Sequence, residues 1–324
     1  MRSWFKIQLA LGVCVGTLSG LPVIAQDYPV KPVRIITGNP GATADILTRQ
    51  IGRRLAERWG QQIVVDNRGG AGGTISAEIT ANAAPDGYTL LMGQLNSHAL
   101  AVNLHKNLAY NAVNDFAPIA LVASAPQVLV VNRSFPASNW SEFAEFIRQR
   151  PGKFNYASSG HGTGSHLTSE LMKQQAKLDL THINYKGGAA ATFALINGEA
   201  NAGFVLLSTA MPIVQSGKIK LLAISSMNRF PTLPNVPTLH ESGLSKFESS
   251  SWFGMFGPAR IKKVLVDRLN REIVDILRTP LIRQDLLKLG AEATPSTPDE
   301  FGAFVKSEIQ KWREVINRAG IQKQ

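Results

Sequence analysis

Three segments of this 324-residue chain repeat one pattern: an apolar run, a glycine-rich turn, then the start of a helical stretch. They are Val33–Thr37 before Gly38-Asn39-Pro40-Gly41-Ala42-Thr43, Phe154–Ser158 before Ser159-Gly160-His161-Gly162-Thr163-Gly164-Ser165, and Thr181–Tyr185 before Lys186-Gly187-Gly188-Ala189-Ala190. Glycine has no Cβ, so the backbone at such a turn can approach a ligand closely. The first N–H groups of a helix lack internal partners and carry the positive end of the helix dipole. A strand–glycine–helix corner is therefore a candidate anion seat. Three of them point to a cleft that grips negative groups with backbone rather than with a catalytic side chain.

The same alternation runs on between the corners. Leu47, Ile51, Leu55 and Trp59 recur at four-residue steps, which predicts an amphipathic helix after the first corner. Ile63–Asp66 and Tyr88–Met92 read as buried strands, with Pro85-Asp86-Gly87 as the turn before the second. Such β-α-β-α-β order argues for an α/β fold with a mixed, mostly parallel sheet flanked by helices. A second block follows: a strand at Gln127–Val131, a helix at Ser141–Gln149 capped by Ser141, the second and third corners, and a strand at Lys220–Ser225. Pro231, Pro234 and Pro237 mark an irregular crossing; Trp252–Phe256 returns as a strand, and Val264–Leu277 and Pro298–Ala319 as helices. The chain is thus expected to cross from one lobe to another and back, with lobe one at 27–125 plus 250–324 and lobe two at 126–249.

The first residues read as a secretion signal. Arg2 and Lys6 form a basic start, Ile7–Leu21 is apolar, and Val23-Ile24-Ala25 predicts cleavage after Ala25. The alternative is a membrane anchor, but Gly20 and Pro22 interrupt a run short of the ~20 residues a spanning helix needs. Cys14, the one cysteine, lies inside this segment, and Leu11-Gly12-Val13 is a poor lead-in for acylation. The mature chain would hold no disulfide, and its length is enough to build a core without one. Loss of residues 1–25 removes Arg2 and Lys6 and no acid, lowering the formal charge from +11 to +9. The basic residues are scattered without interleaved aromatics, so a solvated surface fits better than nucleic-acid binding.

The motifs of catalysis do not complete. Gly160-His161-Gly162-Thr163-Gly164 begins a G-x-G-x-x-G fingerprint, but Ser165, before His166, stands where the last glycine is needed, and no phosphate-loop G-x-x-x-x-G-K-[ST] exists. Ser158 and Ser159 lie in no G-x-S-x-G elbow. His161 and His166 are five apart, which does not match a helical zinc pair, and His98, His105, His182 and His240 show no ligand spacing. His166 reads as a cap or packing residue. What remains is a ring of small donors, Thr37, Asn39, Ser158, Ser159, Thr163, Ser165 and Tyr185, around the glycine turns. They are either ligand contacts for carboxylate oxygens or ordinary turn residues.

At these corners, and along nearly the whole mature length, the chain resembles the tripartite tricarboxylate transporter solute receptors, the Bug proteins. The resemblance is carried in order by Tyr28-Pro29-Val30-Lys31-Pro32-Val33-Arg34, Pro40-Gly41 with Asp45 and Arg49, Val64-Val65-Asp66-Asn67-Arg68 with Gly70-Ala71-Gly72-Gly73, and Pro85-Asp86-Gly87-Tyr88-Thr89-Leu90. It continues through Asn155-Tyr156-Ala157-Ser158-Ser159-Gly160, His166-Leu167 with Glu170-Leu171, Tyr185-Lys186-Gly187-Gly188, and Pro234-Asn235-Val236-Pro237-Thr238 with Glu241-Ser242-Gly243.

The resemblance implies a two-lobe periplasmic binding protein, type II-like, that closes on a small organic carboxylate and passes it to a membrane permease. It implies no metal or cofactor, no catalysis and a monomer. Presentation of the bound solute to a signalling sensor, or an enzyme acting in the same cleft, are the alternative uses of this fold. Carried over by motif, the ligand contacts are Thr37, Asn39, Gly41, Ala42, Thr43, Ser158, Thr163, Tyr185 and Ala189, with Gln94–Ser97 adding a wall. The chain departs from the family pattern at four places. Ala42 stands where a second glycine is usual, Gly38 where an aromatic is expected, Ala190 for a proline and Ala194 for an aspartate. The missing acid at Ala194 weighs against an amino-acid ligand.

Overall fold

The computed structural model describes residues 28–323; the signal-like segment with Cys14 lies outside the described residues. The first half of the sheet is built from β1 (Val33–Thr37), α1 (Thr43–Trp59), β2 (Ile63–Asn67), α2 (Thr74–Ala81) and β3 (Thr89–Gln94). The strand β1 lies parallel between β2 and β3, with Ile35 opposite Val65 on one side and Leu90 on the other. Of the stripe expected on α1, Leu47, Ile51 and Leu55 are buried, and Trp59 at the helix end is half-buried against the same cluster. Gly60 ends that helix in the left-handed conformation, donating its N–H to the Ala56 carbonyl at 3.0 Å. One π-helical turn at Asn96–Leu100 leads into the short α3 (Ala101–Leu104).

The long β4 (Phe116–Asn132) joins the two halves. The second half holds α4 (Trp140–Arg148), β5 (Asn155–Ser158), α5 (Gly164–Ala176), β6 (Thr181–Asn184), α6 (Gly188–Asn197), β7 (Ala202–Leu206), α7 (Leu207–Gln215) and β8 (Ile219–Ile224). The chain returns through β9 (Ser250–Pro258), α8 (Lys263–Leu277), α9 (Pro280–Lys288), β10 (Glu292–Ala293) and α10 (Pro298–Arg318). The strand order is β2-β1-β3-β9-β4-β7-β5-β6, with β8 and β10 also on β4.

Pairing is parallel in the β-α-β arms, where β5 lies between β6 and β7, and antiparallel through the long strands. The antiparallel share follows from the crossings, because β4 and β9 run in opposite directions between the halves. From Phe116 to Pro126, β4 pairs with β9; from Gln127 onward it pairs with β7 and β8. Pro126 is the last β9 partner, opposite Ser250. A register shift sits at Pro118 and Ala120, as expected where proline cannot donate to a ladder.

The helix at 140–148 is capped by Asn139 rather than Ser141. Asn139 accepts from the Glu142 N–H at 2.9 Å, and Glu142 accepts from the Ser138 N–H at 2.7 Å. Asn139 has the extended backbone of a cap residue, whereas Ser141 already sits inside the first turn. Apolar packing is continuous on both sides of the sheet. Leu47, Ile51 and Leu55 meet Leu90, Met255 and Ile273 under the first half, and Val128, Leu195, Leu207 and Phe230 gather under the second. A third cluster takes Trp252, Phe301 and Trp312 together with Phe143 and Leu167.

Candidate functional site

Each glycine corner is held by its own hydrogen bonds, leaving a helix N-terminus without a side-chain cap. At the first, Gly41 (φ 74°) donates its N–H to Asp45 Oδ2 at 2.9 Å. Asp45 Oδ1 accepts from Asn67 Nδ2 at 2.9 Å and Arg49 Nε at 3.0 Å, and Asn67 Nδ2 also reaches the Gly38 carbonyl. Burial alone raises the Asp45 carboxyl, but the Gly41 amide, Asn67 and Arg49 outweigh it and hold it below the usual carboxylate range. The loop is thus pinned by a buried ionised carboxylate. Ala42 precedes α1 in extended conformation with no side-chain cap.

At the second corner, Thr163 precedes α5 but does not cap it. Its hydroxyl donates to the Gly160 carbonyl at 2.7 Å. Ser159 Oγ lies 3.1 Å from Thr163 Oγ1 and 2.9 Å from Ser165 Oγ, and Ser159 donates its N–H to Ser165 at 3.0 Å. Gly162 (φ 73°) donates its N–H to His166 Nδ1 at 3.0 Å, so His166 braces the loop. The third corner is tied to the second: Tyr185 N–H donates to the Ser158 carbonyl and Gly187 N–H to the Ser159 carbonyl, both at 3.1 Å. Gly187 (φ 99°) then opens α6, again uncapped.

A fourth corner carries no glycine. The strand β7 runs straight into α7 at Leu206 and Leu207, and that N-terminus is also uncapped. This one was hidden in the sequence, where 202–207 reads only as an apolar run.

The second, third and fourth corners meet around a cavity of about 290 Å³, lined by Ser159, Thr163, Gly164, Ser165, Gly188 and Thr209, with Ala191, Leu195 and Phe204 as its apolar wall. A neighbouring cavity of about 160 Å³ is lined by Ala42, Thr43 and Ala44 at the start of α1, with Gln94 and Trp252. Asn96, Leu206 and Ser251 line both. The two are therefore parts of one crevice between the halves of the sheet. None of its lining residues is Asp, Glu, Lys, Arg or His. Among the described residues no group of three or more His, Cys, Asp or Glu side chains is placed to hold a metal ion.

Of the residues expected from sequence, Ala42, Thr43 and Thr163 line the crevice. Gly41 and Asn39 shape the turn before α1, and Asn39 packs over Gly69, where a Cβ would fall 1.6 Å from its Oδ1. Ala189 is exposed in the first turn of α6 beside Gly188. Thr37 is buried at the end of β1, and its hydroxyl has no partner among the described residues. Ser158 is fully buried with Oγ 2.7 Å from His182 Nε2, and Tyr185 packs against the apolar cluster of the second half. Gln127, Thr209 and Ser251 line the crevice without having been expected. Two sit in strands and one in α7, and which strand face meets the crevice is set by the sheet crossing, not by a local motif.

An α/β fold of two halves with crossing strands and a crevice of helix N-termini is that of a periplasmic solute-binding protein. The family model described as "Tripartite tricarboxylate transporter family receptor" matches residues 47–321. Protein BugT of Bordetella pertussis is 31% identical over 97% of this chain and 98% of its own. A structure of an R. palustris protein with adipate has a TM-score of 0.80 and 31% identity, covering 92% of this chain and all of that one. MatC from Rhodopseudomonas palustris, with bound malate, has a TM-score of 0.74 and 33% identity, covering 89% of this chain and all of that one. The chain belongs to the tripartite tricarboxylate transporter receptors, the Bug proteins.

Proposed function

We propose that this protein is a periplasmic receptor that closes two lobes, 27–125 plus 250–324 and 126–249, on a small organic carboxylate and delivers it to a membrane permease. The observation that carries the reading is the crevice itself. It gathers four uncapped helix starts, α1 from one half and α5, α6 and α7 from the other, with no ionisable side chain on its wall. Backbone N–H groups and hydroxyls there donate to an anion without adding charge. The relatives solved with adipate and malate support a carboxylate as the class of ligand.

The mechanism is capture by closure. The open form presents two half-sites; a carboxylate that engages both favours the closed form by its differential affinity. Exclusion of water then strengthens each charge-assisted hydrogen bond. The solute leaves unchanged, so the protein acts as a receptor and not as an enzyme. The leader at residues 1–25 directs export, and the mature chain works as a monomer.

Thermal unfolding with mono-, di- and tricarboxylates tests this. A true ligand at one hundred times its Kd adds about 2.7 kcal/mol of stability. Stabilisation by amines or sugars and by no acid contradicts the reading.

A further inference from the structure

We infer that Asn96 is the residue of the first half that reads the solute's far end, donating its Nδ2–H to an oxygen remote from the seated carboxylate. This rests on the receptor reading above and adds a specificity residue to it. Asn96 lines both parts of the crevice, as do only Leu206 and Ser251. Leu206 is apolar and Ser251 short; Asn96 alone of the three extends a carboxamide.

The neighbouring side chains explain why Asn96 is held there. Gln94 Nε2 donates to the Gly72 carbonyl at 3.1 Å. Ser97 Oγ donates to the Gln94 carbonyl at 3.1 Å and lies 2.9 Å from His98 Nδ1. Tyr110 donates its hydroxyl to the Ser97 carbonyl at 2.5 Å. The His98 ring stacks on Phe256 with centroids 4.1 Å apart, and Leu95 is buried. Every side chain around Asn96 thus fixes the turn, while its own carboxamide makes no hydrogen bond among the described residues. The turn is π-helical, a geometry frequent at functional positions. A half-buried amide on a locked turn is preorganised for a ligand.

Titration calorimetry separates this from the receptor reading. The probes are short dicarboxylates and the matching monocarboxylates that lack the far oxygen. In Asn96→Leu, affinity for the dicarboxylate falls about 10- to 100-fold, the loss of one hydrogen bond to a charged acceptor, while the monocarboxylate changes less than about 2-fold. In Asn96→Asp the dicarboxylate loses more than about 10-fold, because two acceptors then face each other. Equal losses for both acids, or no loss in either variant, overturn the role of Asn96 and leave the receptor reading standing. A wild-type protein that binds only the monocarboxylate, or neither acid, overturns the role of Asn96; the receptor reading falls only where no carboxylate of the thermal screen binds. Far-ultraviolet circular dichroism of each variant confirms that it is folded.

Discussion

The imidazole of His166 lies flat on that of His182, with ring centroids 3.9 Å apart and planes within 12°. His161 adds a third ring 5.1 Å from His166. The stack sits behind the second corner: His166 accepts from the Gly162 N–H, and His182 Nε2 meets Ser158 Oγ. The Gly162 bond, which shapes the anion seat, therefore needs a neutral His166.

Acid should loosen this seat. Burial, then His182, His161 and Lys173, push His166 down to about 3. Burial also lowers His182 against the opposing pull of Glu170, and buried His98 is pushed down to about 3. Tyr156, stacked on His182, is the other ionisable group facing it; burial and its bond to Glu170 raise its phenol far from this range. An unfolded histidine takes a proton near 6.5, whereas folded His166 and His98 resist until about 3 and folded His182 is also held below its ordinary value, so the unfolded chain binds more protons over that window. Stability is full above about 6.5 and declines as pH falls toward 3. Thermal unfolding across this window checks the slope. His166→Asn, which keeps an acceptor for Gly162, should flatten it; a melting temperature that rises on acidification contradicts the assignment.

The carboxylate of Glu308 accepts from both Trp252 Nε1, at 3.1 Å, and Trp312 Nε1, at 3.0 Å, and pairs with Lys311. Glu308, Trp252 and Trp312 are buried. Glu308→Ala leaves two indole N–H groups without an acceptor and should destabilise by about 2–5 kcal/mol. Glu308→Gln keeps one carbonyl oxygen and should lose less than half of that. Denaturant unfolding followed by tryptophan fluorescence measures both.

Gly254 in β9 faces Gly93 in β3, and a Cβ on Gly254 would fall 2.0 Å from Cζ of the buried Phe301. Gly254→Ala should therefore cost about 1–3 kcal/mol by overpacking. Adding Phe301→Leu should recover part of the loss, a coupling readable in a double-mutant cycle.

Asp45 is 4% exposed and joins Gly41, Asn67 and Arg49. Asp45→Ala should lower stability by about 1–3 kcal/mol and weaken solute binding, because the turn before α1 loses its anchor. Asp45→Asn retains an acceptor for the Gly41 amide and should keep more of both. Thermal shift with and without solute distinguishes the two effects.

The β-α-β arms were legible because helical stripes such as Leu47, Ile51 and Leu55 and glycine turns such as Gly41 and Gly187 are local signals. The length of β4 was not: Pro118 and Pro126 break the strand pattern, so only Gln127–Val131 stood out, while in the fold a register shift follows Pro118 and Pro126 pairs with Ser250 at the point where β4 changes partners. The corner at Leu206 and Leu207 was invisible because it needs no positive φ and so no glycine. The site divides the same way. Ala42, Thr43 and Thr163 stand at helix starts that the sequence marks, whereas Gln127 and Ser251 reach the crevice only through the crossing of β4 and β9. Ser158 has the right type and place in the chain, yet its hydroxyl turns to His182.

The most direct test of main-chain recognition is amide NMR of isotope-labelled protein titrated with a carboxylate that stabilises it. The expected result is a downfield shift concentrated at the N–H groups of Thr43, Ala44, Gly164, Ser165 and Gly188, saturating with the affinity seen by calorimetry. Saturable binding that leaves these amides unmoved while shifting residues away from the crevice would contradict the claim that helix starts hold the solute.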